Sequence, residues 1–505
     1  MAWLNSDELQ LARAISQLTF CNPFLPQRTQ YERAVLGSEY VASDNSWNFP
    51  ASGQQQRPNE IRARDKVAAF VNTLRGRLTG KLTPGAQEWR LYQDAVVHYL
   101  YYSLEVDFYQ ALAEGKTGTE YAGLYARYLE KFNELMRVPA KGCACQFRAE
   151  HLFACCYQVT RAFQGIYRSI IGLSPCMIDL RAKVWESIFT HDMRAYQLEL
   201  YDKMGDIATL IIGASGTGKE RVAQAIAQAR YLPFSAANKR FADVPQNLFS
   251  TTVLSAFSPH LVESELFGHA RGAFTGAVAD RKGRLELCPA HGSLFLDEIG
   301  DADPQIQVKL LRVLQYRTFE RVGESVQRQF RGKIIAATNR DLAREMRSGT
   351  FREDFYFRLC SDVITTPSLR QQIAEAPEGL GNLINFITQK FITGERERAN
   401  LNADVTRWIT QHRDYPWPGN FRELEQCVKN MLLRRHYHPP ELTEPNTQAH
   451  PLQRIGEGLM SEQELLEFYT TLVYRKAGTY EAAARHLGID RRTVKARVGG
   501  NARRS

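Results

Sequence analysis

The feature that most constrains the fold is a glycine-rich segment between a short apolar run and a stretch with a helical pattern. Thr209-Leu-Ile-Ile212 leads into Gly213-Ala-Ser-Gly-Thr-Gly-Lys-Glu220, and the helical pattern continues to Arg230. Strand, glycine loop and helix in this order form the context of a phosphate-binding loop. Backbone N–H groups and the positive end of the helix would hold a β-phosphate, and Lys219 would reach the β- and γ-phosphates. The sequence therefore predicts an α/β nucleotide-binding domain.

The phosphate loop departs from the usual pattern at one position. Glu220 follows the lysine, where Ser or Thr normally supplies a hydroxyl to Mg²⁺. We expect Thr217 or water to replace that ligand. The residues predicted to bind nucleotide are Gly213, Ser215, Gly216, Thr217, Gly218, Lys219 and Glu220.

Two later apolar runs end in polar residues suited to phosphate chemistry. Ser293-Leu-Phe-Leu-Asp-Glu298 ends in two carboxylates, and Lys333-Ile-Ile-Ala-Ala-Thr-Asn339 ends in an amide. Asp297 is predicted to hold Mg²⁺ through water, Glu298 to polarise the attacking water, and Asn339 to sense the γ-phosphate. Together with the glycine loop, these residues predict an ATPase.

Arginines further along the chain are candidates for contacting the phosphates. Arg352 and Arg358 lie about one and a half helical turns apart. Supplied by a neighbouring subunit, they would make hydrolysis depend on assembly; the alternative is a surface helix with ordinary salt bridges. Residues 380–435 have a helical pattern that is broken before Asn420, which is predicted to cap the next helix. Arg422, early in that helix, is predicted to fold over the nucleotide.

A second glycine-rich segment, Gly272-Ala-Phe-Thr-Gly-Ala277, is predicted to be an exposed loop. Phe274 and Thr275 at its tip have no obvious core to fill. An exposed aromatic side chain between glycines indicates a surface that touches another macromolecule. The alternative is a plain connector.

The last segment, Ser461 to Ser505, is compact and basic. Residues 479–488 and 489–498 read as helix, glycine turn and helix. Ala483, Leu487, Ile489, Val494 and Val498 are predicted to pack inside. Five residues remain for the major groove and phosphates of DNA, namely Arg491, Arg492, Thr493, Lys495 and Arg497. A plain helical hairpin is the alternative.

The region from Met1 to about Pro175 has the periodicity of helices. Its aromatic-rich stretch from Trp89 to Tyr109 is either helical core or a ligand pocket. Four clustered thiols near His151 allow either a metal or redox site or simple burial, namely Cys143, Cys145, Cys155 and Cys156. We find no receiver-type phosphoacceptor pattern here.

Composition sets broad bounds. The chain has 505 residues and a net charge of +9, and about three domains are expected at this length. No apolar run approaches the about 20 residues of a membrane span, no leader is recognisable, and an odd count of nine cysteines favours reduced thiols. We therefore expect a cytoplasmic protein. The predicted domains are a helical region at 1–177, an α/β domain at 178–378, a helical lid at 379–436, a linker at 437–460 and a helix-turn-helix at 461–505.

From about Ala208 to Val498 these motifs resemble the sigma-54-dependent transcriptional activators, the AAA+ bacterial enhancer-binding proteins, and the Gly272–Ala277 motif is close to diagnostic. The resemblance implies a ring, often a hexamer, that hydrolyses ATP with Mg²⁺ and contacts sigma-54 through Phe274, Thr275 and Gly276. It makes residues 213–220 the Walker A loop. It assigns Asp297 and Glu298 to Walker B, Asn339 to sensor I, Arg352 and Arg358 to arginine fingers, and Arg422 to sensor II. The terminal segment resembles a Fis-type helix-turn-helix that binds enhancer DNA as a dimer.

Two positions depart from this family. Val253-Leu-Ser-Ala-Phe257 stands where Asn-Cys-Ala-Ala is usual, so the asparagine that restrains the catalytic glutamate is missing, and coupling of nucleotide to the loop is expected to differ. Ala214 replaces a common glutamate, which matters less because the backbone binds the phosphate. Two alternatives remain: an AAA+ chaperone or unfoldase, and a DNA-binding regulator that uses nucleotide only as a structural ligand.

Overall fold

The computed structural model describes residues 3–42, 58–78, 83–114, 121–137, 144–242, 248–256, 258–439 and 461–501. The chain divides into two compact units, Met1–Tyr437 and His438–Ser505. Within the described ranges, no helix is both long and apolar enough to cross a membrane.

The first part of the larger unit is helical, as predicted. Its helices are α1 (Ser6–Phe20), α2 (Gln27–Leu36), α3 (Pro58–Leu78), α4 (Ala86–Ala113), α5 (Tyr121–Met136), α6 (Ala149–Ser169), α7 (Pro175–Phe189) and the short α8 (Met193–Ala195), which continues as a π-helical segment, Tyr196–Leu200. Helices α1, α3, α5 and α6 pack around α4. Trp89, Tyr92 and Phe108 of α4 are buried, so most of the aromatic-rich stretch is core.

The strands are β1 (Thr209–Ile212), β2 (Phe234–Ser235), β3 (Arg240–Phe241), β4 (Phe249–Val253), β5 (Gly268–His269), β6 (Arg281–Lys282), β7 (Ser293–Asp297), β8 (Thr318–Phe319), β9 (Arg328–Gln329), β10 (Lys333–Thr338) and β11 (Asp362–Thr365). Five of them form a parallel sheet in the order β11-β1-β10-β7-β4. The apolar side chains of the central strands β7 and β10 are buried because helices cover the sheet. The carboxyl ends of all five strands meet at one edge.

The helices that follow β1 complete the larger unit. They are α9 (Lys219–Gln228), α10 (Pro259–Phe267), α11 (Arg284–Leu287), α12 (Pro304–Tyr316), α13 (Leu342–Ser348), α14 (Glu353–Leu359), α15 (Leu369–Glu375), α16 (Leu380–Thr388), α17 (Glu395–Gln411) and α18 (Asn420–Arg434). Helices α16, α17 and α18 share a separate hydrophobic core that includes Ile384, Val405 and Leu424. They form a helical subdomain beside the sheet.

The N-terminal helices pack directly on the α/β part. Helix α6 lies against α9, and Gln158 Nε2 donates to the carbonyl oxygen of Ala229 at 2.8 Å. The Arg161 guanidinium donates to the carbonyl oxygens of Gln228 and of Arg230, the latter at 3.0 Å. Aromatic rings extend the contact onto the β2–β3 hairpin, where Tyr125 lies 4.7 Å from Phe234, Tyr157 lies 4.1 Å from Phe241 and Tyr121 lies 5.1 Å from Phe241. The two parts therefore share one hydrophobic core.

The smaller unit contains three described helices, Glu462–Ala477, Tyr480–Leu487 and Arg491–Asn501. Thr479 caps the second helix by accepting from Ala482 N, and Gly488 ends it at φ 66°. Ala483 and Val494 are fully buried, and Leu487, Ile489 and Val498 pack against them. The predicted helix, glycine turn and helix are present.

Candidate functional site

The phosphate loop between β1 and α9 owes its shape to glycines. Gly216 and Gly218 have φ angles of 77° and 91°, a region that side-chain-bearing residues rarely enter. At Gly216 the close approach of the helical subdomain adds a second constraint, since a Cβ there would lie 2.2 Å from the carbonyl oxygen of Gly419. Phe421 N donates to Gly216 O at 3.0 Å. The loop is therefore held in its cradle shape by the helices that follow it in the chain.

Lys219 and Thr217 both donate to carbonyl oxygens of the loop itself. Lys219 Nζ donates to Gly213 O at 2.9 Å, and burial lowers the pKa of its ammonium. Thr217 or water was expected to replace the missing Mg²⁺ ligand, and the Thr217 hydroxyl makes its hydrogen bonds within the protein. It donates to Ala214 O at 2.8 Å, lies 2.7 Å from Thr366 Oγ1, and is buried beneath the loop.

The acidic pair lies at the end of β7, facing the loop. Glu298 has a left-handed backbone with φ 57°, and its N–H donates to Asp297 Oδ1 at 3.0 Å. Ser255 Oγ donates to the Glu298 carboxylate. A hydroxyl from the divergent segment 253–257 therefore contacts the glutamate. Sequence reasoning noted the missing asparagine but did not propose Ser255.

These groups surround a cleft of about 430 Å³, a size typical of small-molecule sites. One wall carries Lys219, Asp297, Glu298 and Asn339. The lining also includes apolar side chains from α7, α16 and the segment between α6 and α7, namely Ile171, Met177, Leu180, Leu383, Phe386 and Ile387. Backbone amides and a lysine suit phosphates, carboxylates suit a hydrated divalent cation, and apolar side chains suit a planar base. The donor set therefore fits a magnesium nucleotide.

The helical subdomain reaches the cleft through α18. Arg422 Nη1 donates to Ser215 Oγ at 3.1 Å, which brings this predicted residue to the phosphate loop. Asn420 does not cap α18, contrary to expectation, because Gly419 occupies the cap position. The Asn420 side chain instead donates to Ser215 O at 2.9 Å and accepts from Leu369 N at 2.9 Å. Its amide fastens the subdomain to the loop.

Arg352 and Arg358 lie on α14 and its cap, with exposed side chains. Arg352 Nη2 lies 2.8 Å from Asp354 Oδ2. Neither arginine is among the described residues that line the cleft. The prediction that Arg352 and Arg358 act as arginine fingers on a neighbouring subunit stays a prediction.

The segment Gly272–Ala277 is an exposed loop, as predicted. Gly272 and Gly276 have φ angles of 81° and 99°, and Gly272 N donates to Ala277 O at 2.8 Å to close the turn. Phe274 is 43% exposed, and its ring packs edge-on against His269 with centroids 4.9 Å apart. The tip is folded back on its own base rather than fully extended.

The described cysteines favour burial over metal binding. Cys155 and Cys156 are buried in α6, where desolvation raises the pKa of the Cys156 thiol to about 12. His151 Nδ1 lies 2.7 Å from Tyr231 Oη, and its Nε2 lies 3.5 Å from Cys155 Sγ. No cluster of three metal-ligating side chains occurs in the described ranges, and Cys143 lies outside them.

Of the predicted DNA-binding residues, Arg492 and Lys495 are exposed and Arg497 is half-buried. Arg491 Nε lies 2.9 Å from Glu481, and Thr493 N donates to Asp490 Oδ1 at 3.0 Å. Thr493 therefore has a local role at the start of its helix.

The parallel sheet and its cleft define a P-loop nucleotide-binding protein. Residues 191–365 match the Sigma-54 interaction domain, a family of AAA+ ATPases. The resemblance to sigma-54-dependent activators is therefore confirmed.

Relatives and solved structures show similarity over parts of the chain. The Nif-specific regulatory protein of Azotobacter vinelandii is 42% identical over 227 residues, which are 44% of this chain and 39% of that protein. The transcriptional regulatory protein ZraR of Escherichia coli (strain K12) is 38% identical over 299 residues, 58% of this chain and 63% of that protein. The chain thus spans less than two thirds of these relatives. A crystal structure of NtrX from Brucella abortus with ADP is 24% identical, with a TM-score of 0.39 over 70% of this chain and 76% of that chain.

Proposed function

We propose that this chain is an ATP-hydrolysing transcription activator that remodels sigma-54 RNA polymerase through the loop Gly272–Ala277. One observation carries the proposal. Ser255, which contacts the Glu298 carboxylate, precedes helix α10 in the chain, and strand β5 leads from the end of that helix toward the loop. A change at the glutamate can therefore reach the loop through α10 and β5.

The proposed roles at the cleft follow from the donor set. Lys219 binds the β- and γ-phosphates, Asp297 holds hydrated Mg²⁺, Glu298 orients and deprotonates water, Asn339 contacts the γ-phosphate, and Arg422 closes the subdomain over the nucleotide. Mg²⁺ supplies charge neutralisation on the phosphate oxygens when bound. Arg352 and Arg358 reach the cleft of a neighbouring subunit in a ring, which makes hydrolysis depend on assembly.

The C-terminal helices provide the proposed link to enhancer DNA. Arg492, Lys495 and Arg497 would contact phosphates and base edges from one helix, and a pair of chains would read two half-sites. This role brings the ring to its promoter; it does not enter the hydrolysis step.

Two substitutions test the proposed function. Thr275→Ala leaves the cleft intact, so we expect ATP hydrolysis within about twofold of the unmodified chain and no open-complex formation. Glu298→Gln keeps the fold and ATP binding but lacks the base, so hydrolysis should fall by about 10²-fold or more. Purified sigma-54 polymerase and a phosphate-release assay provide both readouts. If the Thr275→Ala variant activated transcription normally, the proposed role of the loop would be rejected. The remaining hypothesis would be an ATPase of the chaperone or unfoldase type.

A further inference from the structure

A small cavity lies inside the N-terminal helical region. It has a volume of about 50 Å³ and shares no described lining residue with the nucleotide cleft. Side chains from α1, α2, α4, α6, α7 and the π-helical segment surround it. Val97, Val159, Phe163 and Trp185 supply apolar wall, so the few polar atoms that face the cavity determine what it can hold.

Three polar atoms of the lining are buried without a hydrogen-bond partner. They are His98 Nε2, Gln197 Oε1 and Tyr101 Oη. His98 and Gln197 are each only 4% exposed. Buried polar atoms in proteins are nearly always paired, because leaving one unpaired costs about 1–3 kcal/mol. Three such atoms on one cavity point to a bound molecule.

The neighbours of His98 determine which of its nitrogens carries the proton. Thr19 Oγ1 donates to Ile15 O at 2.7 Å, so its lone pair accepts from His98 Nδ1 at 3.3 Å. Nε2 is then an acceptor. Burial, aided by the charge of Arg28, lowers the pKa of His98 to about 3, which keeps the ring neutral. The unpaired atoms of the described lining are thus two acceptors, His98 Nε2 and Gln197 Oε1, and the hydroxyl of Tyr101.

Charge at the cavity favours an uncharged ligand. Arg28 also lines the cavity, but its guanidinium pairs with Glu32 at 2.9 Å and donates to Tyr102 Oη at 3.2 Å. A cation would be repelled by Arg28. An anion would face the two acceptor atoms and bring no donor to either. A neutral molecule avoids both costs.

We propose that this cavity binds a small neutral amide of the urea or primary carboxamide class. Its N–H groups donate to His98 Nε2 and Gln197 Oε1, and its carbonyl accepts from Tyr101 Oη. The cavity volume corresponds to about four water-sized groups, which matches the four non-hydrogen atoms of urea or acetamide. An alcohol of this size carries one donor and would leave one acceptor unpaired. The inference does not rest on the proposed transcriptional function.

A set of molecules with the same shape tests the ligand chemistry on the full chain. Urea, acetamide, acetone, acetate and guanidinium each have four non-hydrogen atoms in a Y shape. We expect saturable binding of urea or acetamide with Kd between about 0.05 and 5 mM, and the other three at least about tenfold weaker. Fluorescence of Trp185, which lines the cavity, reports binding, and Trp185→Phe should remove the signal. If none of the five saturates, or acetone equals urea, the proposal is overturned.

A matched pair of variants tests the position of the site. Tyr101→Phe and Tyr128→Phe each remove a buried hydroxyl that has no partner, but only Tyr101 lines the cavity. Tyr101→Phe should weaken urea binding about three- to tenfold, the worth of one hydrogen bond, and Tyr128→Phe should leave it unchanged. Equal effects of the two variants would place the binding elsewhere and reject the cavity.

Discussion

Ser255 illustrates how strand order creates a contact between residues distant in sequence. Strand β4 pairs with β7 in a register that puts Val253 beside Asp297. Two residues later, the Ser255 hydroxyl reaches the Glu298 carboxylate, 43 positions along the chain. In the proposed mechanism, this contact would hold the Glu298 carboxylate away from the attacking water until the contact is released.

We predict that Ser255→Ala raises basal ATP hydrolysis by about tenfold, because a hydrogen bond to a charged group is worth about 1.5–3 kcal/mol and its loss frees the base. Ser255→Thr is the matched control, since it keeps the hydroxyl that contacts Glu298 and should keep the restraint. Steady-state phosphate release measures both. An unchanged rate in Ser255→Ala would mean that this contact does not restrain Glu298.

Most side chains at the cleft could be predicted from the sequence, because Lys219, Asp297, Glu298 and Asn339 each follow a strand or a glycine loop in a fixed pattern. Thr217 and Asn420 could not be. Each makes one bond with a residue distant in the chain, Thr217 with Thr366 and Asn420 with Ser215, and no local pattern identifies such partners. The local sequence predicted Thr217 or water as a Mg²⁺ ligand and Asn420 as a helix cap. In the structure, the polar atoms of both side chains make tertiary hydrogen bonds.

At the level of elements, the contact between α6 and α9 is the least expected. Helix α9 presents its N-terminus to the phosphate loop and its C-terminal carbonyls to Gln158 and Arg161 of α6. The positive charge of Arg161 also interacts favourably with the negative end of the α9 helix dipole. The periodicity of α6 predicted a buried face, but no sequence pattern specified that the partner would be the helix of the phosphate loop.

Replacing Arg161 by Met should lower the melting temperature by several degrees, because the carbonyl groups at the end of α9 lose a buried donor, at about 1–3 kcal/mol. Arg148→Met removes an exposed arginine at the start of the same helix and should change little. Thermal unfolding followed by circular dichroism compares the two. If both variants melt at the same temperature, Arg161 does not stabilise the contact.

For the whole molecule, the shared hydrophobic core determines which truncations leave the remaining chain folded. Leu232, Phe234 and Leu248 of the α/β part belong to the same hydrophobic cluster as the N-terminal helices. The C-terminal helices form a compact unit of their own after Tyr437. The N-terminal helices therefore share their hydrophobic core with the α/β part, whereas the C-terminal helices have a core of their own.

A chain that begins near Ile178 should aggregate or melt at a lower temperature than the full protein, because it exposes the aromatic face of the β2–β3 hairpin. A chain that ends at Tyr437 should stay folded with nearly the same melting temperature. Light scattering and differential scanning fluorimetry on both shortened chains make the comparison. A monodisperse, equally stable product from the first truncation would contradict the shared core.

The contact of Tyr121, Tyr125 and Tyr157 with Phe234 and Phe241 has a practical consequence for protein engineering. Where a flexible linker is all that joins two domains, one of them can be exchanged without changing the packing of the other. A chimaera of this protein would need complementary aromatic surfaces on the N-terminal helices and on the β2–β3 hairpin. We therefore expect a substitution on one side of this contact to be tolerated only with a compensating substitution on the other side.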